Sequence, residues 1–171
     1  IRHVRPVETV AVWGRSPEKA RAFARRARDL GIETSAPPDV AAAVAEADII
    51  CTVTAAPEPI LTSAMVPDGA HINAVGSSRA GPAEVAADQR EGVLAQGAEF
   101  IRARAAGLIG EDHLLGEIGE VFAGSIAGRT DEADVTLYKS LGSIVQDLAA
   151  GWHVHRRLHG EATAPDGHER Q

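Results

Sequence analysis

Three short apolar, β-branched runs, each closing on glycine or threonine, constrain this chain more than any other feature. They are Thr9-Val10-Ala11-Val12-Trp13 before Gly14, Ile49-Ile50-Cys51-Thr52-Val53-Thr54, and His71-Ile72-Asn73-Ala74-Val75 before Gly76. Each reads as a buried strand. Between the first two, Ser16 is placed to cap a helix with Pro17 at its first position. Ala20, Phe23, Ala24, Ala27 and Leu30 follow at helical spacing, and Gly31 closes the helix. A short strand over Ile32 to Ser35 and an Asp39-capped helix over Val40 to Ala47 come next. Strands alternating with helices predict βαβ units and an α/β fold with a mostly parallel sheet. Right-handed crossovers then set helices on both faces.

Beyond Gly81 the pattern changes. Residues 83–122 read as mainly helical, broken by Gly107, Gly110 and Gly116. Asp134 to Tyr138 reads as a last strand. Leu141, Ile144, Val145, Leu148 and Trp152 form a helical stripe running towards Leu158. Residues 160–171 are polar and read as a disordered tail. Residues 1–159 are therefore expected to form one domain. The chain is 171 residues long with a net charge of −7, which argues against nucleic acid or an anionic membrane as partner. Cys51 is the only cysteine, which excludes an internal disulfide and fits a reducing, cytoplasmic setting.

In an open parallel sheet, ligands bind at the carboxyl ends of the strands. Four predicted strand ends carry glycine or polar residues: Gly14-Arg15-Ser16, Thr52-Val53-Thr54, Gly76-Ser77-Ser78 and Lys139-Ser140. A cofactor crevice is one reading. The other is that turns favour Gly, Ser and Thr whatever their function. The first of these turns says more. Where a dinucleotide's adenosine ribose meets a strand end, an acid selects NAD and an Arg accommodates the 2′-phosphate of NADP. No acid stands there. Arg15, Ser16 and the helix N-terminus favour NADP(H) over NAD(H). No two glycines are two residues apart, so G-x-G-x-x-G does not occur. If Thr9 to Trp13 is the second strand of such a fold, the first strand and its glycine loop would precede Ile1, and the chain reads as N-terminally truncated.

Other candidates have bland alternatives. His155 and His159 are four apart but lack a third ligand type, so no metal site is assigned. Glu117 and Glu120 read as a packing or solvated pair rather than a catalytic one. Cys51, inside an apolar strand, reads as inert core. No G-x-S-x-G elbow is present.

Five stretches, in order, resemble the ornithine cyclodeaminase/mu-crystallin family. They are Val10-Ala11-Val12-Trp13-Gly14-Arg15-Ser16, Ala47-Asp48-Ile49-Ile50-Cys51-Thr52-Val53-Thr54, His71-Ile72-Asn73-Ala74-Val75-Gly76-Ser77, Gly116-Glu117-Ile118-Gly119-Glu120-Val121, and Thr136-Leu137-Tyr138-Lys139-Ser140-Leu141-Gly142. The resemblance implies a Rossmann-type domain carrying NAD(P)(H), paired in a homodimeric parent with a substrate-binding half. It implies hydride transfer between nicotinamide and an amino or imino acid carbon. By position, Gly14, Arg15 and Ser16 would meet the adenosine phosphate, and Thr52 and Thr54 would line the cofactor. Asn73, Ala74, Val75 and Gly76 would pass the nicotinamide, Ser140 would contact it, and Leu141 would face the substrate.

Three departures qualify this. Ser78 stands where cyclodeaminases carry the acid/base Asp, and a serine is no carboxylate base near neutral pH. That turns the expectation towards ketimine reductase or amino-acid dehydrogenase chemistry, with Ser78 at the catalytic position. True ornithine cyclisation to proline, a binder without catalysis and a non-functional fragment remain as alternatives. The family's substrate-binding Arg and Lys belong to the half expected to be absent. Only Ala86 and Ala87 separate Glu84-Val85 from Asp88-Gln89-Arg90, where the family has a further helix and strand.

Overall fold

The computed structural model describes residues 5–54, 56, 58–76, 98–140, 142 and 144–160. The strands are β1 (Thr9–Ala11), β2 (Glu33–Ser35), β3 (Ile49–Thr52), β4 (His71–Ala74) and β5 (Thr136–Lys139). The helices are α1 (Pro17–Asp29), α2 (Val40–Val44), α3 (Ala98–Ala105), α4 (Ile118–Phe122) and α5 (Ile144–Leu158). Two compact units result: Ile1–Ser77 with Gly116–Lys139, and Ser78–Leu115 with Ser140–Gln171.

Within each sheet of the first unit the paired strands run parallel, as the alternating pattern predicts. They form a two-stranded sheet, β1-β2, and a three-stranded sheet, β3-β4-β5. The β1–β2 register pairs Thr9 with Glu33, Val10 with Thr34 and Ala11 with Ser35. The first strand is shorter than the apolar run suggests, although the Val12 N–H still donates to the Ser35 carbonyl at 3.0 Å. The Ser16 hydroxyl accepts from the Lys19 N–H at 3.3 Å and caps α1, with Pro17 at its start. At the other end, Gly31 takes φ +73, a conformation that glycine adopts without a Cβ penalty. Its N–H donates to the Arg28 carbonyl at 2.8 Å. Ala20, Ala24 and Ala27 are buried, so a stripe of methyl groups lets α1 lie close to β2. Thr34 is 1 % exposed, and its hydroxyl donates to the Ile32 carbonyl at 2.8 Å. Arg28 donates to the Thr34 carbonyl.

The core of the first unit sits on one face of the larger sheet. Val44 of α2, Ile50, Ala70 and Ile72 are buried together, with Val40, Ala47, Leu61, Met65 and Val66 packed around them. The Asp39 carboxylate caps α2 by accepting from the Ala42 N–H at 2.8 Å. Side chains alternate across a strand. Ile50 and Ile72, which are register partners, therefore face this core, while Cys51 points to the other face. Cys51 is exposed, which corrects the expectation of inert core. The run around it is apolar, but the period of two assigns position 51 to the uncovered side.

The loop before β5 is organised by one carboxylate. Asp134 Oδ2 accepts from the Thr130 N–H at 3.0 Å, the Asp131 N–H at 2.9 Å and the Thr130 hydroxyl at 2.9 Å. Arg129 also donates to the Asp134 and Glu132 carbonyls and to the Thr136 hydroxyl. The backbone N–H of Thr130, then that of Asp131 and the Thr130 hydroxyl, hold the Asp134 carboxyl below the usual aspartate range. A carboxylate with a depressed folded-state pKa stabilises the fold above its unfolded-state pKa, and that contribution disappears as pH falls through the folded value. Urea midpoints for the wild type and Asp134→Asn are therefore expected to differ at pH 7 and to draw together progressively as pH falls from about 4 through the lower folded-state value. An unchanged difference down to pH 3 would show that the charge of Asp134 contributes nothing.

Residues 106–117 differ from the mainly helical reading. Only a 3-10 turn at Glu111–His113 interrupts irregular chain there, since Gly107, with φ +69, ends α3. Glu117 and Glu120 form a helix cap: the Glu120 carboxylate accepts from the Glu117 N–H at 2.8 Å at the start of α4. In the second unit, α5 occupies the expected stripe. Its Ile144, Val145, Leu148, Trp152 and Leu158 are all exposed. Trp152 and His155 stack with ring centroids 5.5 Å apart, and His155 lies 4.3 Å from His159. Among the described residues, no helix is long and apolar enough to cross a membrane.

Candidate functional site

Three parallel strand ends converge on Gly76. The Val75 and Gly76 N–H groups both donate to the Thr52 carbonyl, at 3.0 and 2.9 Å. The Lys139 ammonium, at the last residue of β5, donates to the Gly76 carbonyl at 2.7 Å. A Cβ at residue 76 would stand 2.1 Å from the Thr54 carbonyl oxygen, so only glycine permits this approach. Thr54 Oγ1 accepts from the Ala56 N–H at 3.3 Å, which turns the chain after β3. The register aligns Thr52, Ala74 and Lys139 across the sheet, and Cys51, Asn73 and Tyr138 one step earlier. The structure therefore gathers Thr52, Thr54, Asn73, Ala74, Val75 and Gly76 at the carboxyl edge of one sheet.

Lys139 joins them. Sequence reasoning noted it as a polar strand end and gave it no role. Its signal was a long cationic side chain on the last residue of a parallel strand, within reach of a neighbouring strand's last carbonyls.

Gly14, Arg15 and Ser16 stand at the carboxyl end of β1, on the two-stranded sheet. Arg15 is exposed, while Gly14 and Ser16 are half-buried. A Cβ at Gly14 would meet nothing within 4 Å, so the turn is open above the strand. Ser16 spends a lone pair on the Lys19 N–H and keeps its own O–H to donate. A guanidinium, a hydroxyl and the N-terminus of a thirteen-residue helix thus meet at one strand end, a set suited to a phosphate, although Pro17 carries no N–H and the Lys19 and Ala20 N–H groups donate to Ser16. Ser140 follows β5, is half-buried, and accepts from the Gly142 N–H at 3.4 Å. By packing it falls in the second unit. Ser78 and Leu141 lie outside the described residues, as does the shortened stretch around Ala86 and Ala87.

The sequence matches the family model described as "Ornithine cyclodeaminase/mu-crystallin family" over residues 1–162. Among curated relatives, it is 31% identical over 166 residues to the Delta(1)-pyrroline-2-carboxylate reductase of Bacillus cereus, covering 90% of this chain and 51% of that protein. It is 37% identical over 157 residues to the ketimine reductase mu-crystallin of Mus musculus, covering 85% and 46%. Among solved structures, it superposes on the Delta(1)-pyrroline-2-carboxylate reductase of Thermococcus litoralis, determined in complex with NADH and L-proline. That match has a TM-score of 0.80 at 30% identity and covers 95% of this chain and 55% of the other. The chain spans about half the length of these relatives. The parallel α/β architecture is thus of Rossmann type. A family match over 162 of 171 residues, together with strand ends that converge where such folds bind ligands, leads to one assignment: the chain belongs to the ornithine cyclodeaminase/mu-crystallin family.

Proposed function

We propose that this chain is the nucleotide-binding portion of an NADP(H)-preferring oxidoreductase that acts on a cyclic imine or an amino acid, and that the parent is a homodimer. The observation that carries the reading is the end of β1, where exposed Arg15, Ser16 and the α1 N-terminus meet and no acid ends the strand itself, the acid at hand being Glu18 in the first turn of α1. The B. cereus and mouse relatives are named as a Delta(1)-pyrroline-2-carboxylate reductase and a ketimine reductase, and the T. litoralis enzyme was solved with NADH, which supports a nicotinamide cofactor here. The preference for the 2′-phosphate rests on Arg15. Bound nicotinamide would supply a hydride to an imino carbon or take one from an amino acid carbon. Arg15, Ser16 and the helix N-terminus hold the adenosine phosphate. Thr52 and Thr54 line the cofactor. The stretch Asn73 to Gly76 passes the nicotinamide, and Lys139 fixes its end by holding the Gly76 carbonyl. The family resemblance would assign Ser140 to the nicotinamide and Leu141 to the substrate.

Ser78 decides between branches of the family. Cyclisation of a diamino acid needs a carboxylate base, and serine supplies none near neutral pH. Loss of a positioned general base costs roughly 100-fold or more. The intact parent is therefore expected to oxidise NADPH with Δ1-pyrroline-2-carboxylate at least about 100-fold faster than it releases ammonia from ornithine. Following nicotinamide absorbance and ammonia in parallel checks this. Comparable rates on the two substrates would overturn the reductase reading. Tight NADPH binding with turnover of neither would identify a binder.

A further inference from the structure

Helix α1 is strongly basic in a chain of net charge −7. Lys19, Arg21, Arg25, Arg26 and Arg28 lie on it, with only Glu18 and Asp29 in opposition. Arg21, Arg25 and Arg28 are spaced i, i+4 and i+7, so they share one face of the helix, and like charges at that spacing repel. The three line a hollow of about 220 Å³ whose other lining residues are Ala24 of α1 and Ala36, just beyond β2. Two methyl groups thus make a low floor with three long cationic side chains around it.

One of the three is already fixed in place. The Val12 N–H donates to the Ser35 carbonyl, so the Thr34 carbonyl, one residue earlier, faces away from β1. Arg28 donates from one end of its guanidinium to that carbonyl and keeps its remaining N–H groups. Arg21 and Arg25 keep all of theirs: among the described residues neither has a hydrogen-bond or ion-pair partner, although Glu18 stands three residues before Arg21 and Asp29 four after Arg25.

Size and chemistry narrow the ligand. Guanidinium forks match phosphate oxygens in pairs. A rise of 1.5 Å per residue sets Arg21 and Arg25 about 6 Å apart along the helix axis, a span for two linked anionic groups rather than one. The hollow is smaller than the roughly 300–1,000 Å³ of pockets that hold drug-sized ligands, so it has no room for a whole nucleotide. Gly14, Arg15 and Ser16 do not line it.

The geometry points to a second anion site, in which Arg21, Arg25 and Arg28 clamp a small diphosphate. Arg21 takes one phosphoryl group, and Arg25 and Arg28 take the other. The site is separate from the end of β1 and independent of the cofactor reading.

Calorimetric titration of the protein with pyrophosphate at low ionic strength tests this. Saturable one-to-one binding is expected, at least about 10-fold tighter than that of glycerol phosphate, which offers a single phosphoryl group. The double variant Arg21→Gln/Arg25→Gln is expected to weaken it by roughly 10- to 100-fold. Arg26→Gln removes a charge from the same helix outside the hollow and is expected to change it by less than about twofold. In the wild type, the side-chain N–H resonances of Arg21, Arg25 and Arg28 are expected to move with pyrophosphate while that of Arg26 stays, a readout that needs no variant. No saturation below about 10 mM would overturn the site. So would equal losses in Arg26→Gln and the double variant, equal affinity for glycerol phosphate, or competitive displacement of pyrophosphate by NADPH, which would make the hollow part of the cofactor site. Pyrophosphate binding by a protein that ignores NADPH would support the site while counting against the cofactor reading.

Discussion

Replacing Arg15 with alanine in the intact protein is expected to weaken NADPH binding by roughly 10- to 100-fold and NADH binding by less than about twofold, because a charge-assisted hydrogen bond contributes about 1.5–3 kcal/mol. The two cofactors differ only in the 2′-phosphate, so the difference between the two losses isolates that group. Arg15 is suited to the role because its fork of donors is exposed at the open end of β1, beside a helix N-terminus of the favourable sign. Arg15→Lys should recover part of the loss, since a point charge replaces the charge but not the fork. Raising the salt concentration should narrow the gap between wild type and variant, because an exposed ion pair is screened. Equal losses for NADPH and NADH, measured by fluorescence titration of half-buried Trp13, would remove the phosphate from Arg15's account.

Gly76→Ala is expected to cost about 3 kcal/mol of folding stability, at the upper end of what overpacking usually costs. In a chain of this size that lowers the melting temperature by roughly 6–12 °C. The added Cβ would lie 2.1 Å from the Thr54 carbonyl oxygen and 2.8 Å from the Thr54 nitrogen. Both are backbone atoms, so no side-chain rotation relieves the overlap. The strand ends must part, and with them the Gly76 carbonyl that Lys139 holds. Gly14→Ala is the control. Its new methyl group would meet nothing within 4 Å, and a change within about 0.5 kcal/mol is expected. Calorimetry of the two variants side by side checks the contrast. If Gly76→Ala melts with the wild type, the close approach at Thr54 is not maintained in solution.

Much of the fold is legible in the sequence for local reasons. Ser16-Pro17 at one end and Gly31 at the other mark α1, and the structure shows the cap and the left-handed glycine at those places. Parallel strands follow from β-branched runs separated by helices. What was harder to read depends on neighbours distant in sequence. Cys51 sits in an apolar run, and only the pairing of Ile50 with Ile72 over α2 tells which face of β3 is covered. The close packing of Gly76 on Thr54 joins positions 22 residues apart, and the reach of Lys139 to Gly76 spans 63. No periodicity encodes either. The division of the described strands into a β1-β2 sheet and a β3-β4-β5 sheet is likewise invisible in composition, because each strand looks complete in itself.

On the proposed function, a dinucleotide lies along the carboxyl ends of these parallel strands. Amide chemical shifts of the intact protein, followed through an NADPH titration, test it most directly. Saturable shifts at Arg15, Ser16, Thr54 and Gly76, with Thr9, Glu33 and His71 at the opposite strand ends unmoved, are the result expected. Saturable binding that leaves the first group fixed, or moves the opposite ends instead, would contradict it.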